Sequence, residues 1–179
     1  MKKIFISFIA VMLMAFSANA QVWVGGSVNY AGTKATVKGD GFKEVSKTST
    51  FTLAPEVGFT VNDKLAVACG LGLVTGGDED VTFTLQPYGR YNFYKSGNVS
   101  LFADGGLNLT YNDDEWTPAV FVAPGISYTL NDKLSAVTRL GGVTYSWKTE
   151  KYDGVRYTAS SFGAGLNLLV ATVGLYYSF

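Results

Sequence analysis

From Gln21 onward the chain alternates large apolar residues with small or polar ones at a period of two. That period puts successive side chains on opposite faces of a strand; a buried helix face needs apolar positions three and four apart, and no segment after Gln21 has that spacing. The first apolar stripe is Val22, Val24, Val28 and Tyr30, set against Gln21, Trp23, Gly25, Ser27 and Asn29. The second is Phe51, Leu53, Pro55, Val57, Phe59 and Val61, and the third Leu65, Val67, Cys69, Leu71 and Leu73. The fourth, Val81, Phe83, Leu85, Tyr91 and Phe93, is set against Thr82, Thr84, Gln86, Tyr88, Arg90 and Asn92. Then come Val99, Leu101, Ala103, Leu107 and Leu109; Val120, Val122, Pro124, Ile126, Tyr128 and Leu130; Leu134, Ala136, Thr138 and Leu140; and finally Val173, Leu175, Tyr177 and Phe179. Eight strands are predicted.

An internal repeat marks two of the turns. Gly58-Phe59-Thr60-Val61-Asn62-Asp63-Lys64-Leu65 recurs in the second half as Ser127-Tyr128-Thr129-Leu130-Asn131-Asp132-Lys133-Leu134. Asn-Asp between alternating runs signals a tight hairpin, and Lys95-Ser96-Gly97-Asn98 has the same role between the fourth and fifth strands. The remaining connections are longer and polar: 31–49, 75–80, 112–118 and 148–156. Short turns at one end and long loops at the other form the asymmetry of an outer-membrane barrel. Three prolines, Pro55, Pro87 and Pro124, fall inside predicted strands, each about seven or eight residues before a short turn, so a common ring of β-bulges is expected. Residues 157–179 are long for one strand and their apolar phase slips between Leu168 and Leu169. They form either one bulged strand or two strands separated by a turn.

Alternation alone also suits a soluble ligand-binding barrel, with its bulky face inside. Charge decides between them. In the strand cores the smaller face carries only Glu56, Arg90, Asp104 and Arg139, too few to solvate an exterior, while the bulky face is Val, Leu, Ile, Phe and Tyr. The bulky face therefore belongs in lipid and the small face in a crowded lumen. Strands of this length suffice, because a tilted spanning strand needs roughly 9 to 11 residues. Aromatics gather near the turn end: Phe59, Tyr128, Tyr91, Phe93, Tyr94, Tyr176, Tyr177 and Phe179 are expected to form an interfacial girdle.

The N-terminus carries Lys2 and Lys3, an apolar run from Ile4 to Phe16 and the small residues Ala18-Asn19-Ala20, the three parts of a secretory signal cleaved before Gln21. The domains expected are thus 1–20, signal peptide, and 21–179, barrel. Removing two lysines leaves 12 basic and 14 acidic residues, a balance unsuited to gripping a nucleic acid. A single cysteine, Cys69, excludes an intramolecular disulfide. The absence of histidine removes every Ser-His or Cys-His mechanism and the commonest metal ligand, so neither enzyme activity nor a cofactor or metal is expected.

With its signal peptide, its eight stripes and its ending Gly174-Leu175-Tyr176-Tyr177-Ser178-Phe179, the chain resembles small outer-membrane β-barrel proteins of the OmpA and OmpX type. The resemblance implies an all-β, eight-stranded, antiparallel up-and-down transmembrane barrel in the cell outer membrane, in contact with lipid and lipopolysaccharide, and monomeric. It also implies that Val173, Leu175, Tyr177 and Phe179 are the signal read by the barrel-assembly machinery, with no periplasmic domain after Phe179.

Two charged sets remain as candidate sites. Glu56, Arg90, Asp104 and Arg139 share the lumen phase, two negative and two positive, and are expected to form a balanced network that fills the interior. Asp78, Glu79, Asp80 and Asp113, Asp114, Glu115 make two acidic loop tips, while Lys34, Lys38, Lys43, Lys47, Lys148, Lys151 and Arg156 make the first and last loops basic. The acidic tips lack EF-hand spacing. The lysines suit contacts with anionic lipopolysaccharide. The function expected is structural or surface interaction through the loops, including Thr33 to Thr48 and Trp116, with an extracellular ligand left open. A narrow channel or a small-molecule-binding barrel is the alternative.

Overall fold

Ten strand segments build the wall: β1 (Val22–Gly39), β2 (Phe42–Thr60), β3 (Leu65–Gly76), β4 (Glu79–Ser96), β5 (Val99–Asn112), β6 (Glu115–Thr129), β7 (Leu134–Arg139), β8 (Gly141–Tyr152), β9 (Val155–Leu166) and β10 (Thr172–Ser178). The computed structural model describes residues 21–39, 42–76, 79–112, 115–152, 155–166 and 172–179. Each strand pairs antiparallel with its neighbour in sequence from β1 to β6. Both β7 and β8 then pair with β6, lying end to end along it, and β10 pairs with β7 as β9 pairs with β8. These four segments make two staves, which brings the wall to eight, and β10 closes it on β1 from Trp23↔Ser178 to Ser27↔Gly174. Closure leaves no free edge at this level, which a lipid-facing sheet requires. The last stretch of the chain is therefore two segments of one stave, with residues 167–171 outside the described set.

The two faces separate as the alternation requires. Val24, Val28, Phe51, Leu53, Leu65, Val67, Leu71, Phe83, Leu107, Val120, Val122, Val173, Leu175, Tyr177 and Phe179 are all exposed on the outside. A soluble monomer rarely exposes more than a few hundred Å² of contiguous apolar surface, but a barrel wall in lipid needs such a band. No helix among the described residues is long and apolar enough to cross a membrane, so the crossing is made by strands. The core lies inside: Trp23, Ala68, Tyr88, Phe102, Phe121, Ala123, Val137 and Tyr176 form one buried cluster.

The repeated turns are built alike. Asn62 Oδ1 accepts the backbone N–H groups of Lys64 and Leu65 at 2.9 and 3.0 Å, and Asn131 Oδ1 accepts those of Lys133 and Leu134 at 3.0 and 2.9 Å. An asparagine side chain thus mimics a turn of backbone and caps donors that the ladder leaves free. The third turn is the two-residue link between Ser96 and Val99, where Gly97 has φ 54°, a left-handed conformation that glycine adopts without steric cost.

Three expectations change in detail. The longer polar connections continue as paired hairpin: β1 and β2 stay in register out to Gly39↔Phe42, β5 and β6 out to Asn112↔Glu115, and β8 and β9 out to Tyr152↔Val155. Strands rich in Thr, Val and Tyr satisfy each other's backbone beyond the apolar band, so a polar sequence need not become coil. The prolines do not form a ring of bulges. Pro55 and Pro87 sit in ladders of constant register, and each interrupts pairing only with the following strand, where its missing N–H is the lost donor. Only Pro124 faces a bulge, an extra residue at the β7–β8 junction where Leu140 N–H donates to Pro124 O at 3.0 Å. Within the girdle set, Tyr176 turns out to be buried in the lumen, because it lies on the phase opposite Leu175 and Tyr177. Phe93 and Tyr94 are both exposed despite being adjacent, since the β4–β5 register shifts between Asn92 and Tyr94.

Candidate functional site

Crossing the lumen at mid-height is a single layer of charge. Arg90 and Asp104 are register partners on β4 and β5, and their side chains pair bidentately: Arg90 Nε to Asp104 Oδ1 at 2.7 Å and Nη2 to Oδ2 at 2.8 Å. Arg139, the last residue of β7, spans the lumen. Its Nε donates to Asp104 Oδ2 at 2.8 Å, and its Nη1 and Nη2 donate to Glu56 Oε1 and Oε2 at 2.8 and 3.1 Å. The hydroxyls of Tyr88 and Tyr176 complete Glu56 by donating to Oε2, the latter at 2.9 Å. Two guanidinium groups and two carboxylates thus form one neutral chain tying β2, β4, β5, β7 and β10 together. Fork-on-fork geometry gives such pairs both strength and direction. Burial of charge demands it: Asp104 has 0% exposure, and an unpaired ion there would cost several kcal/mol.

Aromatic rings pack against the layer. The Arg90 guanidinium carbon lies 3.9 Å from the ring centroid of Phe102 and 5.6 to 5.8 Å from those of Tyr176, Tyr88 and Trp23, and that of Arg139 lies 4.9 Å from Tyr88. Rings facing a desolvated cation add attraction from their negative π-faces. Glycine makes the space. Trp23 is the register partner of Gly58 and Phe102 of Gly125, and a Cβ on Gly125 would stand 2.2 Å from Phe102 Cζ.

On either side the lumen is polar and uncharged or open. Towards the hairpins, Gln86 Nε2 donates to Asn108 Oδ1 at 2.6 Å, and the Thr84 and Thr110 hydroxyls are 3.2 Å apart. Towards the short turns there is a cavity of about 430 Å³, walled by Ser100, Ser127, Ser135 and Ser178 and ending on Trp23, Arg90 and Tyr176. Asp63, Lys64 and Lys95 stand at its lining. Among the described residues no group of three or more His, Cys, Asp or Glu could hold a metal ion.

Of the residues singled out in the sequence, Glu56, Arg90, Asp104 and Arg139 come together in one layer. Val173, Leu175, Tyr177 and Phe179 line the outside of the closing strand, with Tyr177 and Phe179 edge to face at 5.2 Å. Asp78, Asp113 and Asp114 lie outside the described residues, as do Ala18 and Ala20; Glu79, Asp80 and Glu115 are placed only as the first residues of β4 and β6. Sequence reasoning missed Tyr176 and the rings of Trp23 and Phe102 that pack on Arg90. Parity was the available signal, since each sits on the lumen phase, two of them across from a glycine.

Comparison with known proteins bears on the architecture. Neisserial surface protein A has a similar fold, at 15% identity over 88% of this chain and 97% of that one, with a TM-score of 0.53. Matches with lower scores are a de novo designed transmembrane β-barrel, at 14% identity over 89% and 95% with a TM-score of 0.49, and the outer membrane protein OprG from Pseudomonas aeruginosa, at 16% over 89% and 96% with 0.43. No curated protein sequence matches the chain. The sequence model of the outer membrane protein beta-barrel domain matches residues 4–168, and the chain accordingly belongs to that family of outer-membrane barrels.

Proposed function

We propose that this outer-membrane barrel is a sealed, non-enzymatic, monomeric anchor that holds four β-hairpins at the cell surface for contact with the exterior. The observation that carries the reading is the neutral layer of Glu56, Arg139, Asp104 and Arg90, whose guanidinium and carboxylate groups are matched to one another and packed with Phe102, Tyr88 and Trp23. An eight-stranded barrel has an interior just wide enough for side chains to fill, and at mid-height the charged side chains of this one meet across the lumen in mutual hydrogen bonds. The same filling argues against catalysis in the lumen, because both carboxylates are engaged by arginine and no histidine is available as a base.

In this reading the segment before Gln21 directs export and is cleaved after Ala20, and Val173, Leu175, Tyr177 and Phe179 present the closing strand to the assembly machinery. The hairpins joining β1 to β2, β3 to β4, β5 to β6 and β8 to β9 then stand outside. Single-channel recording in a planar bilayer tests the seal: the purified chain should give no conductance steps. Steady openings by the folded, unmodified protein would favour the narrow-channel alternative and end the anchor reading.

A further inference from the structure

The charged layer is neutral as a whole but shows a different face to each end of the lumen. Of its four ionic residues only Arg90 lines the cavity on the turn side; Glu56, Asp104 and Arg139 do not. The layer thus turns a cation towards this space and keeps both carboxylates away from it. Nε and Nη2 of Arg90 are committed to Asp104. Among the described residues Nη1 has no hydrogen-bond partner, although Arg90 is only 8% exposed. Trp23, Val137 and Tyr176 surround it with largely apolar wall, and a cation in such a recess attracts an oxyanion more strongly than one in open water.

Towards the turns the lining becomes hydroxylic. Ser100 and Ser127 are register partners on β5 and β6, Ser135 on β7 stands opposite Tyr176, and Ser178 on β10 stands opposite Trp23. Ser100 and Ser135 each lie four residues along the strand from Asp104 and Arg139, so the serine layer is roughly 10 Å from the charged one at the usual tilt. Among the described residues none of these four hydroxyls hydrogen-bonds to the protein. At the rim Lys64 and Lys95 outnumber Asp63. The cavity, about 430 Å³, is of the size that holds a small molecule, roughly 300–1,000 Å³. We propose that this blind cavity binds a small phosphorylated polyol, with its phosphate against Arg90 Nη1, its hydroxyls against the serines, and the two lysines drawing it in from the turn end. A neutral polyol would leave the cation unmatched, and a bare phosphate would leave the serines unmatched. The inference goes beyond the anchoring role and does not depend on which end of the barrel faces outward.

The test follows binding to the folded barrel in zwitterionic micelles by backbone-amide and arginine side-chain NMR, with glucose 6-phosphate, glucose and inorganic phosphate as probes. Glucose 6-phosphate should give saturable shifts at Ser100, Ser127, Ser135 and the Arg90 side chain, with affinity falling as salt rises. Inorganic phosphate should bind at the same residues about tenfold more weakly, and glucose should give no saturable shift. Lys95→Gln should weaken the sugar phosphate by about threefold. Ser127→Leu fills the cavity without changing any charge and should abolish binding. The proposal is overturned by the absence of any saturable shift, by shifts confined to the hairpins, by equal binding of the sugar phosphate and either of the other probes, or by a folded Ser127→Leu chain that binds like the parent. The three probes are compared on the unmodified chain, so a variant that fails to fold does not shield the idea.

Discussion

The two sides of the barrel are held together by different means. From β2 to β6 the wall is a set of long ladders, up to Asn112↔Glu115 at one end and Val99↔Tyr128 at the other in β5–β6. From β7 to β10 each stave is divided in two: at the turn end β7 has 6 residues and β10 has 7, with an extra residue at Leu140 between β7 and β8, while β8 and β9 beyond them have 12 residues each. Backbone pairing is short at the turn end of this second side, where β10 meets β7 over six pairs and β1 over five. Here the side chains of the lumen compensate, because Arg139 at the end of β7 reaches Glu56 on β2 and Asp104 on β5, and Tyr176 on β10 reaches Glu56. The charged layer therefore does more than fill space: it ties the short segments β7 and β10 to the continuous staves.

The largest effect should follow from cutting the tie at its centre. Asp104→Ala leaves Arg90 and Arg139 buried beside an empty acceptor position and should cost about 3–5 kcal/mol in urea unfolding from lipid vesicles. Amide exchange should speed up in β7 and β10 before it does in β3 and β4; uniform acceleration around the barrel would refute the division into two sides. Next comes Gly125→Ala, which forces a methyl group against the fully buried Phe102 ring and should cost roughly 1–3 kcal/mol without touching any ion pair.

Tyr176→Phe removes one donor to Glu56 and should cost about 0.5–1.5 kcal/mol by the same unfolding measurement, with opening again concentrated in β10. A loss as large as that of Asp104→Ala would mean that the tyrosine, not the arginine, is the main tie. Smallest of all, Asn131→Ala removes the side-chain acceptor of a solvent-facing turn and should cost no more than about 1 kcal/mol, leaving the heat-dependent gel shift of the folded barrel intact.

Period-two alternation carried most of this architecture, because one slip of register would exchange lipid and lumen for every residue of a strand. The four lumen charges were legible for the same reason: charge on the small phase of an otherwise apolar strand has nowhere to go but inward. What parity could not supply was distance across the lumen, so the contact of Arg139 with residues on β2 and β5 depends on closure, not on anything local. Tyr176 was misplaced because a cluster of aromatics at a strand end was read as one girdle, although its neighbours alternate between lipid and interior. The hairpin extensions escaped notice because their sequence is polar, and pairing between two polar strands needs no apolar stripe.

The asparagine turns, the glycines and the layer all presuppose that the chain ends in the correct register. Moving β10 by one residue against β1 would send Tyr176 into lipid and bring Tyr177 inside, leaving Glu56 without one of its hydroxyl donors. A hydrogen bond in the interior therefore checks the alignment of the closing strand, rewarding the one register in which Glu56 keeps both of its hydroxyl donors.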